Sequence, residues 1–401
     1  MCGFMVSTNG GNDSFIRRRG DLSFNHEENG YVFKHFLLPI TGEKTTQPFV
    51  DDGIVCLYNG EIYNQPFKKS DGECLIPLYK KYGNSFPKYL DGEFAIALYD
   101  FKENKAIFST DPFGTKPIWV NGMECASYES GVGGEKLPAN TILVKSKKTF
   151  KMKVFDFDFE NQIEETYDYW ITAFEKAIKK RAKNGCFLGL SSGYDSGAIA
   201  CEMAKQGIDF KAFMIQGVEN ESILEQRRKR LSNVEYLTRS ERYEEEIEWV
   251  KTKIEPFTYK AGGKDIQTDS ASWGLSKICR KAKSEGRNVY MSGQGADEII
   301  SDYSLYPNQS TFKGKFPDRL FVWDNFYEGC QYSYLGKEEY VAGSHAVETR
   351  YPFLDKDLVQ EFLWLKPELK NKEYKAPIAE YLRREGYPFD EGKKIGFSIQ
   401  I

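Results

Sequence analysis

The chain has 401 residues, of which 40% are hydrophobic and 28% charged, and a formal net charge of -4. This length suits two or three domains, and the composition is that of a soluble globular protein. A weakly negative chain offers no broad basic field for nucleic acid. No run is long and apolar enough to cross a membrane, and the opening Met-Cys-Gly-Phe-Met-Val has neither the basic leader nor the apolar core of a secretory signal.

Residues 1 to about 150 read as β-rich. Gly53–Tyr58, Phe94–Tyr99 and Ala106–Ser109 are apolar runs of strand formers, and one helix is expected over Gly72–Tyr82, where Cys74, Leu75, Leu78, Tyr79 and Tyr82 recur at helical spacing. Stacked antiparallel sheets with few helices are expected here. The pattern then changes. A helix over Tyr167–Ala182 is followed by a strand at Cys186–Leu190, a Gly/Ser turn, a helix over Ser196–Lys205, a strand at Phe210–Ile215 and another at Asn288–Met291. Strands alternating with helices predict a parallel sheet with helices on both faces. The boundary falls within residues 145–168, where basic Ser146–Lys153 meets acidic Phe155–Glu165, giving domains at 1–150 and 151–401.

The eight cysteines are scattered and form no Cys-x-x-Cys pair, which argues against a disulfide framework and against a zinc site. A reduced, cytoplasmic protein is expected. Only three histidines are present, few candidates for a histidine-based triad.

Two stretches carry chemistry. Cys2 follows the initiator methionine, so loss of Met1 leaves a free α-amine beside the thiol. With a pKa of about 7.7–8.0 that amine is partly unprotonated near neutrality, so one residue supplies both nucleophile and base. Asn59-Gly60-Glu61-Ile62-Tyr63-Asn64 follows a strand, where an Asn amide and a Gly N–H can face a developing oxyanion. The second stretch, Phe187–Gly197, is strand, small-residue turn and helix start. Exposed backbone N–H groups and a helix N-terminus make an anion site there. The Gly-Lys-Ser/Thr ending of kinase and GTPase phosphate loops is absent. Taken singly, these features have ordinary explanations: a small residue at position 2, a turn at Asn59, a helix cap at Asp71, a Ser-rich cap at 191–196.

Their company is more specific. MCGF, RRRGD, QPF, YNGEIYN, SDGEC, LDGEFAIALYD and STDPFGTKPIWV occur in the order of a class II glutamine amidotransferase domain. The loop Ser191–Ser196 resembles the SGGxDS loop of ATP pyrophosphatases. VYMSGQGADEI (Val289–Ile299), HAVETRYPFLDKDLV (His345–Val359) and KKIGFS (Lys393–Ser398) resemble synthetase segments. Together they resemble the glutamine-hydrolysing asparagine synthetase family over most of the chain.

The resemblance implies an N-terminal-nucleophile fold of four αββα layers, followed by an α/β parallel-sheet ATP-pyrophosphatase domain. Cys2 would attack the glutamine amide, Asn59 and Gly60 would form the oxyanion hole, and Glu61 and Asp71 would hold the amino end. In the second domain Leu190, Met214 and Ile215 would border the adenosine of ATP, with Ser292 and Gly293 opposite. Ser191, Gly193, Asp195 and Ser196 would hold the pyrophosphate and its Mg2+, with Asp297 near the metal. Gln294, Glu348 and Arg350 would line the pocket of a small carboxylate acceptor, and Lys375 or Lys394 would offset phosphate charge. A shielded passage for ammonia, and a homodimer, are further family expectations; nucleic acid and membrane are not expected partners.

The sequence departs from the family in places. Arg19-Gly20-Asp21 lacks the proline of RGPD, Ser192 replaces a glycine, and Gln294 replaces a glutamate. Leu37 falls where an arginine meets the glutamine α-carboxylate, and Arg17, Arg18 or Arg19 is then a candidate replacement. The default acceptor is aspartate. The competing readings are a ligase for another carboxylate, possibly ammonia-driven; an RNA-modifying pyrophosphatase, which lacks its basic face or cysteine pair; and a nucleotide-binding scaffold, which the retained Cys2, Asn59, Asp195 and Asp297 oppose.

Overall fold

The computed structural model describes residues 2–215, 219–237, 243–260, 264–303 and 310–392. Lys393–Ser398, including Lys394, lies outside the described residues. The chain divides into two compact units: residues 1–156 with 253–255 and 343–348, and residues 157–252 with 256–342 and 349–401.

The first unit holds strands β1 (Gly3–Ser7), β2 (Leu22–Glu28), β3 (Tyr31–Leu37), β4 (Phe49–Asp51), β5 (Ile54–Ile62), β6 (Gly92–Asp100), β7 (Lys105–Thr110), β8 (Trp119–Asn121), β9 (Glu124–Ala126), β10 (Glu135–Lys136), β11 (Thr141–Lys145) and β12 (Phe150–Lys153). They form two six-stranded sheets, ordered β10-β8-β9-β1-β3-β2 and β12-β11-β7-β6-β5-β4. Their pairings are antiparallel, as expected.

The strands β5 and β6 read as continuous apolar runs because both of their faces are buried. Successive side chains alternate between faces. Val55, Leu57, Ala95, Ala97 and Tyr99 point between the sheets and meet Phe4, Val6 and Phe33 of the other sheet. Phe33 and Tyr99 pack edge to face across that gap, ring centroids 5.2 Å apart. Cys56, Tyr58, Phe94, Ile96 and Leu98 point outward and are covered by Leu75, Ile76 and Tyr79 of the helix Leu75–Tyr82. Outside the other sheet the fourth layer is slight, a 3-10 turn at Ile16–Arg19 and a one-turn helix at Glu129–Val132. At the far edge of the second sheet, β12 and the turn before it carry Lys147, Lys148, Lys151 and Lys153.

The second unit is built on β13 (Cys186–Gly189), β14 (Phe210–Ile215), β15 (Val234–Leu237), β16 (Val289–Met291) and β17 (Glu348–Arg350), in the order β15-β14-β13-β16-β17. Pairings of β13 with β14 and β16, and of β14 with β15, are parallel. The chain runs outward from β13 to β15 and returns to β16 on the other side. The topological switch therefore lies between β13 and β16, the place where open α/β sheets bind ligands at their strand ends. The loops leaving these strands are Leu190–Gly193 and Ser292–Ala296. A Cβ added to Gly293 would sit 2.9 Å from the Asp195 Cβ, so the second loop closes on the start of the helix Tyr194–Lys205 that follows the first.

Candidate active sites

In the first unit, strand alternation brings the expected residues to one place. Cys2 precedes β1 in phase with Phe4 and Val6, and Asn59 is in phase with Val55 and Leu57, so both project into the gap between the sheets. The Cys2 nitrogen donates to Asn59 Oδ1 at 2.8 Å in a buried contact. That nitrogen is a peptide nitrogen while Met1 is attached and becomes the α-amine once Met1 is lost. Asn59 Nδ2 is buried and has no partner among the described residues. Gly60 has φ +141°, and a Cβ there would lie 1.8 Å from the Glu93 carbonyl oxygen, so only glycine lets β6 approach.

Burial raises the Cys2 thiol pKa, and a backbone hydrogen bond at Leu38 pulls the other way. A thiol of this kind needs an adjacent base. Asp71 is buried and accepts from Tyr58 Oη and, at 2.8 Å, from the Ile62 N–H. It is not the cap of its turn: Ser70 fills that position, its Oγ accepting from the Gly72 N–H at 3.3 Å. Glu61 is buried on β5, opposite Glu93.

The register of β1 with β3 pairs Gly3 with Phe36; one step further stands Leu37 beside Cys2. Leu37 is buried, with its carbonyl accepting from the Asp21 N–H at 2.9 Å. Of the three candidate replacement arginines, Arg17 is 62% exposed and paired with Asp13 at 2.6 Å. Arg19 is fully buried, donating to the Cys2 carbonyl at 3.0 Å and to Tyr128 Oη at 2.6 Å. It therefore braces the backbone of Cys2.

In the second unit, Ser191–Gly193 turns from β13 into the helix Tyr194–Lys205. Ser196 Oγ accepts from the Ser191 N–H at 3.1 Å and lies 2.9 Å from Ser191 Oγ, which accepts from the Gly193 N–H at 3.2 Å. Ser192 does not have a positive φ, so a serine stands without backbone strain where the resemblance leads one to expect glycine. Leu190, Met214 and Ile215 are buried at the ends of β13 and β14.

Asp195 and Asp297 converge on one cation. Lys375 Nζ lies 2.7 and 2.6 Å from the two Asp195 carboxylate oxygens and 3.0 Å from Asp297 Oδ1. Burial opposes its charge, but the two carboxylates hold its pKa well above the usual range. Lys375 heads the helix Ala376–Arg384 with φ +50°, a left-handed conformation that costs a lysine on the order of 1–2 kcal/mol. Tyr374 Oη donates to Asp297 Oδ1 at 2.8 Å. Asp297 opens a π-helical turn, a local geometry frequent at functional sites.

Ser292 Oγ donates to Glu338 Oε2 at 2.6 Å and accepts from the Gln294 N–H at 3.0 Å. The Gln294 amide donates to Glu298 Oε1 at 2.5 Å, and Glu298 also accepts from Tyr303 Oη and the Gly295 N–H. Burial raises the pKa of Glu298, and Asp297 beside it adds to the shift; burial pushes Glu338 up to about 7. Glu348 and Arg350 share a face of β17 and are buried. Arg350 donates to the Arg181 carbonyl at 2.7 Å, and its own carbonyl accepts from the Ser292 N–H at 2.9 Å.

Tyr58, Tyr374 and Glu338 are not singled out by the sequence, nor are Arg227 and Glu219, which bond to the turn at Ser191–Gly193. Tyr58 carries a signal, lying one residue before Asn59 and hence on the opposite face of the strand. Arg227 sits in an Arg-Arg-Lys-Arg run that reads as solvated.

Comparison with known proteins gives the same two parts. A glutamine amidotransferase domain matches residues 35–127 and an asparagine synthase domain residues 171–327. Glutamine-hydrolyzing asparagine synthetase 1 of Saccharomyces cerevisiae is 26% identical, over 93% of this chain and 76% of that protein. The nodule enzyme of Pisum sativum is 26% identical over 94% and 70%, and asparagine synthetase 2 of Arabidopsis thaliana 27% over 88% and 67%. The solved NMN synthetase of Francisella tularensis overlaps 58% of this chain and 100% of its own, with 11% identity and a TM-score of 0.25, too slight a likeness to bear on function. With both parts matched in this order, the chain belongs to the glutamine-hydrolysing asparagine synthetase family and is a glutamine amidotransferase ligase.

Proposed function

We propose that this protein converts aspartate to asparagine in the cytoplasm, cleaving ATP to AMP and pyrophosphate and drawing nitrogen from glutamine or free ammonia. The observation that carries the glutamine half is Asn59, whose Oδ1 orients the Cys2 nitrogen while its buried Nδ2 lacks a partner among the described residues. In this reading the Cys2 amine takes the thiol proton and Sγ attacks the amide carbon. Asn59 Nδ2 and the Gly60 N–H receive the oxyanion, the amine returns its proton to departing ammonia, and water releases glutamate from the thioester. Tyr58 and the Ile62 N–H hold Asp71 in place, and Asp71 with Glu61 receives the substrate ammonium.

In the second unit the aspartate side-chain carboxylate attacks the α-phosphorus of ATP, pyrophosphate leaves, and ammonia then displaces AMP from the acyl-adenylate. Leu190, Met214, Ile215, Ser292 and Gly293 border the adenosine; Ser191, Gly193, Asp195 and Ser196 hold the pyrophosphate; Gln294, Glu348 and Arg350 line the acceptor pocket. Asp195 and Asp297 suit Mg2+, which is commonly held by one or two carboxylates plus substrate phosphates; they already share the Lys375 cation. Mg2+ would supply charge neutralisation at the phosphates.

The test is a product balance with ATP, Mg2+, aspartate and either glutamine or an ammonium salt. Equal amounts of asparagine, AMP and pyrophosphate are expected. ADP and phosphate as products, or no asparagine with either nitrogen source, would refute the proposal.

A further inference from the structure

Arg227 is fully buried, yet it faces no carboxylate within ion-pair distance among the described residues. It lies on the inner face of the helix Glu221–Arg230, one turn from buried Leu224. Its Nη1 donates to the Ser191 carbonyl and, at 3.0 Å, to the Gly193 carbonyl, while Nε donates to the Pro388 carbonyl at 2.9 Å. The guanidinium occupies space left open by Gly197: a Cβ there would stand 2.3 Å from Nη2 and 2.6 Å from Cζ. Burial lowers its pKa to about 10, so it stays charged at neutral pH.

These contacts dictate which way the loop faces. In a planar trans peptide the C=O and the following N–H point in opposite directions. With the Gly193 carbonyl held on Arg227, the Tyr194 N–H is turned away from it. Tyr194 is the first residue of the helix Tyr194–Lys205, where an N–H has no intrahelical acceptor and faces an incoming anion. With the Ser191 carbonyl held likewise, the Ser192 N–H points away too, and Glu219 Oε2 accepts it at 2.7 Å together with Ser192 Oγ at 2.5 Å.

We propose that Arg227 is a positioning residue for pyrophosphate: by holding the Ser191 and Gly193 carbonyls it fixes the turn so that the Tyr194 N–H, the first of the helix, faces the leaving phosphates. Arg227 touches no phosphate itself. The assignment rests on the pyrophosphatase reading above.

The experiment compares the wild-type chain with Arg227→Met, Arg227→Lys and Gly197→Ala. It measures binding of inorganic pyrophosphate and of AMP, pyrophosphate release from ATP, glutamine hydrolysis and thermal unfolding. Gly197→Ala keeps the arginine but forces its guanidinium to shift, and alanine favours the helix, so it guards against a variant that merely unfolds. Both Arg227→Met and Gly197→Ala are expected to weaken pyrophosphate binding and raise the KM for ATP roughly 10–100-fold, as a misplacement of about 1 Å does. AMP binding and glutamine hydrolysis should change less than about twofold, and Arg227→Lys should be intermediate because a point charge replaces a planar fork. Unchanged pyrophosphate binding in Arg227→Met and Gly197→Ala overturns the role of Arg227, and so does a parallel loss of AMP and pyrophosphate with stability, which marks a packing role. A wild-type chain that releases no pyrophosphate overturns the pyrophosphatase reading itself.

Discussion

Replacing Lys375 by methionine keeps the stem of the side chain as far as Cε and deletes the charged Nζ. The lysine side chain is 3% exposed and its ammonium serves two carboxylates whose side chains are only 22% and 21% exposed. Without it, Asp195 and Asp297 face each other with no shared cation. Removing one partner of a buried ion pair costs about 3–5 kcal/mol, and the partial exposure of the acids places this case near 3. For a unit of this size that is a fall in Tm of roughly 6–12 °C in the absence of nucleotide. Pyrophosphate release should drop by about 10²–10³, the usual consequence of removing one stabiliser of transition-state charge. Glutamine hydrolysis should be unaffected. In the proposed reading Mg2+ would draw on the same carboxylates as the lysine, so added Mg2+ should restore more stability to Lys375→Met than it adds to the wild type. Calorimetry with and without Mg2+, paired with single-turnover pyrophosphate release, tests all of this. An unchanged Tm together with pyrophosphate release at the wild-type rate would refute the reasoning.

Cys2→Ala should abolish glutamine use and leave synthesis from ammonium salts intact; loss of both activities would contradict the assignment of Cys2 to the first site alone. Leu37→Arg places a guanidinium beside Cys2, where an arginine–carboxylate pair gives charge-assisted bonds that leucine cannot. The KM for glutamine should fall, and initial-rate kinetics showing no change would mean that the α-carboxylate is held elsewhere. Gln294→Glu sets a second carboxylate where the amide now donates to Glu298 at 2.5 Å; a loss of stability of about 1–3 kcal/mol at pH 8 is expected, shrinking in acid as one of the pair takes a proton. Glu338 has its pKa raised from 4.5 to about 7. Between those values the folded chain binds more protons than the unfolded one, so this group makes stability decline as pH rises, with the full penalty present above pH 7. Glu338→Gln should remove that decline and stabilise the protein above pH 7 by up to about 3 kcal/mol. Matching pH–stability curves for variant and wild type would count against it.

Much of the architecture is legible in the sequence because strand alternation and helix starts are local. The apolar runs at Phe94–Tyr99 and Ala106–Ser109 are the centres of β6 and β7, and Cys186–Leu190 and Phe210–Ile215 correspond to β13 and β14. The helix expected over Gly72–Tyr82 divides into a 3-10 turn at Asp71–Cys74 and an α-helix from Leu75, because Ser70 caps the turn first. What could not be read was long-range partnership. Neither the meeting of Lys375 with Asp195, 180 positions apart, nor that of Glu338 with Ser292 leaves a trace in local spacing. Arg227 shows the difficulty most clearly: its neighbours Arg228 and Lys229 are 56% and 69% exposed, and composition alone does not single out the one that turns inward.

The lysines of β12 stand where one copy of this chain could add to another. An edge strand leaves a row of unpaired N–H and C=O groups that a second chain can adopt as a template. Here that row is flanked by Lys147, Lys148, Lys151 and Lys153, so a copy arriving edge to edge brings four like charges against its own four. The basic stretch that marks the end of the first unit thus doubles as a guard against fibre-like self-association. That guard weakens with salt, and acetylation of the same four side chains would disarm it without disturbing either sheet.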